Sequence, residues 1–502
     1  MLDSLGIGYS TLLWVVIASL GLLKLWRTLS DWGFAQRNGC GEVTKMPSYI
    51  FGLDILWDFI KATNNNYAID LVEDWQRKFG RTFQLRLGRK LILTSEPKNF
   101  QAILATQFED FDLGSRNDAA HPMLGDGIFA SDGKIWEQSR ALLRPNFVRN
   151  QIADIAVYEH HVSQLVKCMP VDGSTVDLQD LFYKMTIDSA TEFLFGRSFN
   201  TLGGRESEAS KSFAKNWHIA SNGMIIRMRL GPLRWLSNLN RSYTKAIAAV
   251  RSFVRDVVQE ALEHKELQES NQDEKPPSQS YVFLHELATR TQDEKVLTDQ
   301  LLNILLAGRD TTAAFLSFTF FLLSRREDVW SKLRAEVLNF DKRPSFEDLK
   351  SMKYLTWVMN ETLRLYPLIP LNVRMANKRT VLPTGGGSCG TLPIFISKGQ
   401  EVMYCAYSAH RLPEVYGQDA SEFRPERWEN LKPGWAYIPF NGGPRICIGQ
   451  QFALTEASYT IVRILQEFES IESRDSEPFK ELIGLTLSMK NGAKVALTPV
   501  QT

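Results

Sequence analysis

The chain has almost no net charge: 58 lysines and arginines stand against 57 aspartates and glutamates, a formal +1 at neutral pH. That balance supplies no global field for a polyanion, and no nucleic-acid partner is expected. Cysteine is scarce as well. Cys40, Cys168, Cys389, Cys405 and Cys447 are too few, too scattered and odd in number for a disulfide framework, which places most of the chain in a reducing compartment. An H-E-x-x-H pair, a doubled C-x-x-C and a Walker-type phosphate loop are all missing, so zinc and nucleotide sites of those kinds are not supported. What remains is size: 502 residues, 44% of them hydrophobic, can bury a large core and exceed the usual length of one domain.

Charge is also absent from one stretch. Between Asp3 and Lys24 lies "SLGIGYSTLLWVVIASLGLL", about the ~20 residues that cross a bilayer as helix. Lys24, Trp26 and Arg27 follow at once, so the basic flank is expected on the cytoplasmic side. A secretory signal would carry its basic residues first and a shorter apolar run, which makes an uncleaved anchor the better reading. The bulk of the chain then faces the cytosol, and the sequons at Asn240 and Asn360 stay unglycosylated. Residues 38–47, punctuated by Gly and Pro, read as a tether. The division is therefore 1–47 anchor and linker and 48–502 globular domain.

Beyond residue 48 the pattern is mainly helix with a minor sheet. "TFQLRLGRKLILTS" alternates through Phe83, Leu85 and Leu87, turns at Gly88 and continues through Leu91 and Leu93, which predicts a hairpin. Residues 70–79, 152–167 and 243–264 have helical periodicity. Residues 264–280 are charged and poor in apolar side chains, a solvent loop. Short strands are expected over 380–402, and "LTLSMKNGAKVALTP" reads as a terminal hairpin turning at Asn491 and Gly492.

The chemistry concentrates in "FNGGPRICIGQQFA", residues 440–453. A thiolate at Cys447 would be stabilised by the backbone N–H groups and positive dipole end of the helix patterned over 450–468. Gly442, Gly443 and Gly449 permit a sharp turn and close approach to a flat object, and Arg445 can pair with an acidic group on it. Haem with its propionates is such an object. A buried structural cysteine is the bland alternative.

Phe440, Gly443, Arg445, Cys447 and Gly449 reproduce F-x-x-G-x-R-x-C-x-G, and through them the chain resembles the haem-thiolate monooxygenases, the cytochromes P450. The resemblance implies a cytochrome P450 fold on an N-terminal membrane anchor, with 48–502 as catalytic domain and haem b (iron protoporphyrin IX) held on Cys447. It extends to the apolar run 300–324. As a second membrane span this run would carry Arg309 and Asp310 at mid-depth, so a buried core helix is expected. Its Ala307-Gly308-Arg309-Asp310-Thr311-Thr312 matches A-G-x-D-T-T, which implies that Gly308 loosens the helix, Thr311 offers a hydroxyl to bound dioxygen and Asp310 feeds protons inward.

Glu361 and Arg364 match E-x-x-R, and Arg427 in "FRPERW" supplies the P-E-R arginine, together implying a structural clamp on the cysteine loop. Trp136 and Arg140 match W-x-x-x-R and, with Arg445 and Arg374, are implied propionate ligands. One motif points elsewhere. Residues 386–390 fit the G-x-S-x-G elbow of esterases, but Pro393 follows too soon for the required helix, so a glycine-rich loop is expected.

Finer detail, "RLYPLIPLNVR" and "FNGGPRICIGQQFALTEASY" among it, looks most like the fungal alkane- and fatty-acid-hydroxylating branch. That implies an endoplasmic reticulum membrane protein, single-pass, with its catalytic domain in the cytosol, membrane lipid around its anchor, and electrons from NADPH through NADPH-cytochrome P450 reductase. The expected substrate is apolar, with 111–128, Phe315, Leu368, Ile369, Leu371 and 485–487 lining its pocket. Four alternatives stand beside it: oxidation of a lipid-like or polyketide or terpenoid intermediate in secondary metabolism, a haem-thiolate isomerase or peroxide-rearranging enzyme, a non-catalytic haem sensor or carrier, and a membrane-anchored helical scaffold without haem.

Overall fold

Helical periodicity in residues 294–323 produces the spine of the molecule. In the computed structural model, which describes residues 9–147, 155–270, 282–340 and 343–501, they form one central helix, Glu294–Leu323, whose first turn is capped by the Asp293 side chain accepting from the Val296 N–H. Leu297 to Leu305 and Thr312 to Leu323 are buried throughout. Arg309 and Asp310 thus belong to a core helix, and Asp310 meets a cation there: Arg309 Nη1 lies 3.2 Å from its Oδ1.

Two large apolar clusters flank the spine. One gathers Phe315, Phe318 and Phe320 with Leu363, Tyr459 and Ile461, so it joins the central helix to helices Lys353–Leu365 and Gln450–Glu467. The other joins Leu301 and Leu305 to Trp217 and Met224 of a lid helix, Glu208–Leu230, and to Val250 and Val254 of helix Arg241–Ser270.

The minor sheet component comprises strands β1 (Thr44–Lys45), β2 (Thr82–Leu87), β3 (Arg89–Thr94), β4 (Phe111–Asp112), β5 (Val176–Asp177), β6 (Leu371–Ala376), β7 (Thr380–Gly386), β8 (Leu392–Ile396), β9 (Glu401–Cys405), β10 (Phe468–Ser473), β11 (Glu481–Ile483), β12 (Leu487–Met489) and β13 (Lys494–Pro499). The largest sheet runs β1-β2-β3-β9-β6-β4. Its β2–β3 hairpin pairs Phe83 with Leu93 and Leu85 with Leu91, and turns where Gly88 takes φ +73°.

Four sequence expectations change. Residues 487–499 do not form a hairpin: β12 pairs with β11, whereas β13 lies between β10 and β5, because its apolar face completes the main core. The tether is docked, with Gly41 N–H donating to Pro393 O at 2.8 Å, Gly387 N–H to Glu42 O at 3.0 Å, and β1 pairing with β2. Helix Arg241–Ser270 runs seven residues into the expected solvent loop, and 271–281 lie outside the described residues. The helix expected from 152 begins at Ala156, with 152–154 also outside them. The G-x-S-x-G run leaves the end of β7 at the buried Gly386 and turns through the exposed Ser388 and Cys389 toward β8, a glycine-rich loop as its composition predicts.

The N-terminal helix, Tyr9–Arg37, is the one helix among the described residues long and apolar enough to cross a membrane. Trp14, Leu20, Leu22, Leu23 and Trp26 are all exposed on it. Its last turns meet the globular part through Asp31, 2.7 Å from Arg379, and Phe34, whose ring lies 5.7 Å from that of Phe395 at a tilt of 57°.

Candidate functional site

Cys447 sits between a short helical turn, Gly443–Arg445, and the helix that starts at Gln450. The loop closes on itself: Cys447 N–H donates to Phe440 O at 2.9 Å and Ile446 N–H to Gly443 O at 3.0 Å. Gly443 is required by the fold, since it takes φ +64° and a Cβ there would fall 1.7 Å from Leu104 O. A Cβ on Gly442 would meet the Trp435 ring at 2.5 Å. The close approach that these two glycines allow is therefore to the protein itself, while Gly449 has Phe147 as its one near neighbour, at 3.7 Å.

The Cys447 side chain is accessible, yet burial raises its thiol pKa, against the opposing pull of the Gly449 N–H and the Arg140 charge. The central helix has one accessible stretch of its own. Leu306 to Thr311 alone keep accessible surface within an otherwise buried run, and a Cβ on Gly308 would meet nothing within 4 Å. The helix stays α-helical through Gly308, so the expected loosening is not seen, and Thr311 Oγ1 donates to Ala307 O at 2.7 Å.

Cationic side chains crowd one edge of the site. Arg445 pairs with Asp132 at 2.7 Å, donates to Ser131 O at 3.0 Å and lies 4.3 Å over the Trp136 ring. Arg374, 3% exposed, donates to Val373 O at 2.9 Å and to Asn372 Oδ1 at 3.3 Å and has no carboxylate partner among the described residues. Arg116 reaches the same Asn372 Oδ1 at 3.5 Å. Burial and then Arg374 push Arg116 down to about 10; burial, opposed by Asp132, pushes Arg445 down to about 10, with Arg374 and Arg116 adding to the fall. Three mutually repelling guanidiniums against Asp132 and the weaker pull of Asp112 are short of negative charge. The indole N–H of the buried Trp136 also lacks an acceptor among the described residues. An open thiol, an orphan indole donor and surplus guanidinium charge fit a metalloporphyrin with two carboxylates.

Arg140 is placed differently from its expected neighbours. Its Nη1 donates to Ile446 O at 3.0 Å, so it grips the loop carbonyl next to Cys447.

Behind the loop, Glu361, Arg364 and Arg427 meet in the core. Glu361 accepts two bonds from Arg364 at 2.8 Å, one from Arg427 Nε at 2.8 Å, one from Trp428 at 3.0 Å and one from the Arg424 N–H at 2.9 Å. Arg364 also donates to His410 O and Ala420 O. His410 completes the link: its Nε2 accepts from the Ile438 N–H at 2.9 Å while Nδ1 faces Arg364 O at 3.2 Å. Burial lowers its pKa to about 3, so the ring is neutral and can make both bonds.

Sequence reasoning missed Arg116, His410 and Glu456. Arg116 and His410 belong to no periodic pattern. Glu456 did leave a signal, an acid inside an apolar helical run. It is buried, accepts from Ser189 Oγ at 2.7 Å and from Thr312, and burial raises its pKa to about 7. Of the expected pocket lining, Phe111, Phe315 and Leu487 are packed into the core, whereas Ile369, Leu371 and Leu485 keep accessible surface.

A family model described as Cytochrome P450 matches residues 50–495. Among curated relatives, Cytochrome P450 52A13 of Debaryomyces hansenii is 43% identical, covering 97% of this chain and 97% of its own length. Cytochrome P450 monooxygenase himC of Aspergillus japonicus is 43% identical over 91% of this chain and 84% of its own length. Cytochrome P450 52A1 of Candida tropicalis is 45% identical over 87% and 84%.

Proposed function

The chain belongs to the cytochrome P450 family, and we propose from that premise that it hydroxylates the terminal carbon of a long-chain fatty acid or alkane at the endoplasmic reticulum membrane. It is a haem-dependent monooxygenase that takes apolar substrates and receives electrons from a redox reductase. The finer reading makes NADPH-cytochrome P450 reductase the donor, residues 1–47 a single-pass anchor and linker, and 48–502 a catalytic domain facing the cytosol. The apolar, exposed helix Tyr9–Arg37 with its basic flank supports that topology.

The observations that support the reading are the accessible Cys447 thiol on its glycine-shaped loop and the accessible stretch Leu306 to Thr311 in the otherwise buried central helix. Cys447 would hold the iron of haem b through its sulfur, with Phe440, Gly443 and Gly449 shaping its loop. Arg116, Arg374, Arg445 and Trp136 would hold the propionates, and Arg140 would fix the loop carbonyl. Glu361, Arg364 and Arg427 clamp the scaffold behind that loop. When bound, the haem supplies reductive activation of dioxygen.

The chain's own part on the opposite side is proton handling. Burial raises the Asp310 carboxyl, against the pull of Arg309 and His218, so it gives up its proton less readily than a surface aspartate. Thr311 Oγ1, one residue on and bonded to Ala307 O at 2.7 Å, would offer the next hydroxyl along that proton path. A haem-thiolate isomerase has no use for such a relay, which favours monooxygenation. Reconstitution with reductase, NADPH and a panel of fatty acids and alkanes, read by product mass, tests the proposal. Terminal alcohols are the expected products, and exclusive turnover of polycyclic substrates would overturn the fatty-chain reading.

A further inference from the structure

Two helices away from the cysteine loop bring three metal-ligating side chains together. His160 and His161 are consecutive in helix Ala156–Lys167, and Glu192 lies on helix Leu178–Phe195. Each offers one ligand atom, and the three atoms lie within 4.8 Å of one another. Consecutive helical positions diverge by about 100°, so their side chains do not ordinarily face each other. These two rings nevertheless converge. Their centroids are 5.2 Å apart, at an interplanar angle of 82°.

His161 is the member that requires a partner. It is 1% exposed, and a buried imidazole is ordinarily hydrogen-bonded. Its Nε2 lies 2.8 Å from Glu192 Oε2 but off the direction in which a ring N–H donates, and its Nδ1 has no partner among the described residues. Imidazole nitrogen and carboxylate oxygen thus sit side by side with no hydrogen bond between them, as two donors to a common third atom do. The other two members open the way in. Glu192 is half-buried and pairs with no lysine or arginine among the described residues, while His160 is exposed and its Nε2 faces the Gln164 side-chain amide at 2.9 Å, a contact that water can replace.

We propose that His160, His161 and Glu192 bind a divalent transition-metal ion of the Zn²⁺ type, through residues that take no part in the haem site. Two imidazoles and one carboxylate are borderline donors that suit Zn²⁺, Cu²⁺ or Ni²⁺, whereas Ca²⁺ and Mg²⁺ take oxygen. Bonds of about 2.0 to 2.1 Å in a tetrahedral site set the donors about 3.3 Å apart. His161 and Glu192 open slightly to reach that spacing, and a rotamer change of the exposed His160 closes the rest. Water takes the fourth position on the solvent side. Helix Ala156–Lys167 buries Tyr158, Val162 and Leu165 in the first apolar cluster, and helix Leu178–Phe195 buries Ile187, Phe193 and Leu194 in the second. The ion would tie the two clusters together and stabilise the native chain by binding it alone.

Calorimetric titration of the untagged, chelator-treated holoenzyme with Zn²⁺, for the native chain, His160→Ala and Glu192→Gln, tests the proposal. Both substituted side chains reach solvent, so neither change opens the core, and the reduced carbon-monoxide spectrum checks that each variant keeps its haem site. The native chain should take up one Zn²⁺ with a Kd on the order of 1 μM or tighter, and each variant should bind on the order of tenfold or more weakly. Zn²⁺ should raise the urea midpoint of the native chain and leave that of Glu192→Gln nearly unmoved, a response that an ordinary ion pair between His161 and Glu192 would not give. X-ray absorption at the zinc edge should show nitrogen and oxygen at about 2.0 to 2.1 Å with imidazole scattering and no sulfur. Failure of the native chain to bind one Zn²⁺ at that strength overturns the proposal, as does equal affinity in the native chain and both variants. Sulfur at about 2.3 Å would put the ion on an exposed thiol, Cys168 or Cys389, and overturn it too.

Discussion

Glu361 Oε1 lies 2.8 Å from Arg427 Nε, both side chains fully out of water and 66 residues apart in sequence. With Arg364 on the same carboxylate, this contact joins helix Lys353–Leu365 to the segment that leads into the cysteine loop. Removing one member strands buried charge, at about 3 to 5 kcal/mol. Glu361→Gln should therefore lower the denaturant midpoint markedly and yield protein that retains little haem. A variant with native stability and full haem content would show that the contact is dispensable.

Arg116 should matter for the cofactor more than for the fold. It stands in a cluster with surplus positive charge, so Arg116→Met relieves repulsion in the protein while removing a partner for the propionates. Haem transfer from the variant to an excess of apomyoglobin is expected to be faster than from the native protein, with chemical stability of the fold held or raised. Equal transfer rates would take Arg116 out of the propionate set.

If Thr311 carries the proposed proton relay, Thr311→Ala should keep the absorption spectrum of the holoenzyme yet separate NADPH consumption from product, since only that hydroxyl is removed and Cys447 is untouched. Asp310→Asn is expected to slow turnover by on the order of 10²-fold or more, the usual contribution of a positioned acid or base. Product formed per NADPH is the measurement, and unaltered coupling in Thr311→Ala would remove that residue from the relay.

Glu456 gives the fold a pH dependence. Its folded value, about 7, lies above the ordinary 4.5, so between those values the folded state holds a proton that the unfolded chain has released. The stabilising contribution is fully present below pH 4.5 and is lost as pH rises through 7, on the order of 3 kcal/mol in all. His161 opposes the rise, and Ser189 and Thr312 donate to the carboxylate. Urea denaturation of Glu456→Gln between pH 5 and 8 should lack this falling slope, and at pH 8 the variant should be the more stable protein. A slope equal to the native one would assign it to another group.

Much of this arrangement was legible in the chain. The hairpin at Gly88 follows from strict alternation, the core helix from an apolar run too polar at its centre for lipid, and the clamp and cysteine loop from motifs with fixed spacing. What was hidden depends on contacts between distant segments. Arg116 acquires meaning when Arg374 and Arg445 come beside it, and His410 when Ile438 N–H reaches its ring. The Asn491-Gly492 turn looked like a hairpin because local signals cannot tell which strand β13 will pair with; β10 and β5 offered its apolar residues a place in the core. Similarly, residues 38–47 have the composition of a tether, but their backbone groups find partners on β2, β7 and β8.

The absorption spectrum of the reduced, carbon-monoxide-bound protein tests the central claim most directly, that the Cys447 sulfur is the axial donor to haem iron. The native chain should give the thiolate-type Soret band, and Cys447→Ala should lose it. Persistence of that band in Cys447→Ala, or its absence from haem-supplemented native protein, would contradict the account.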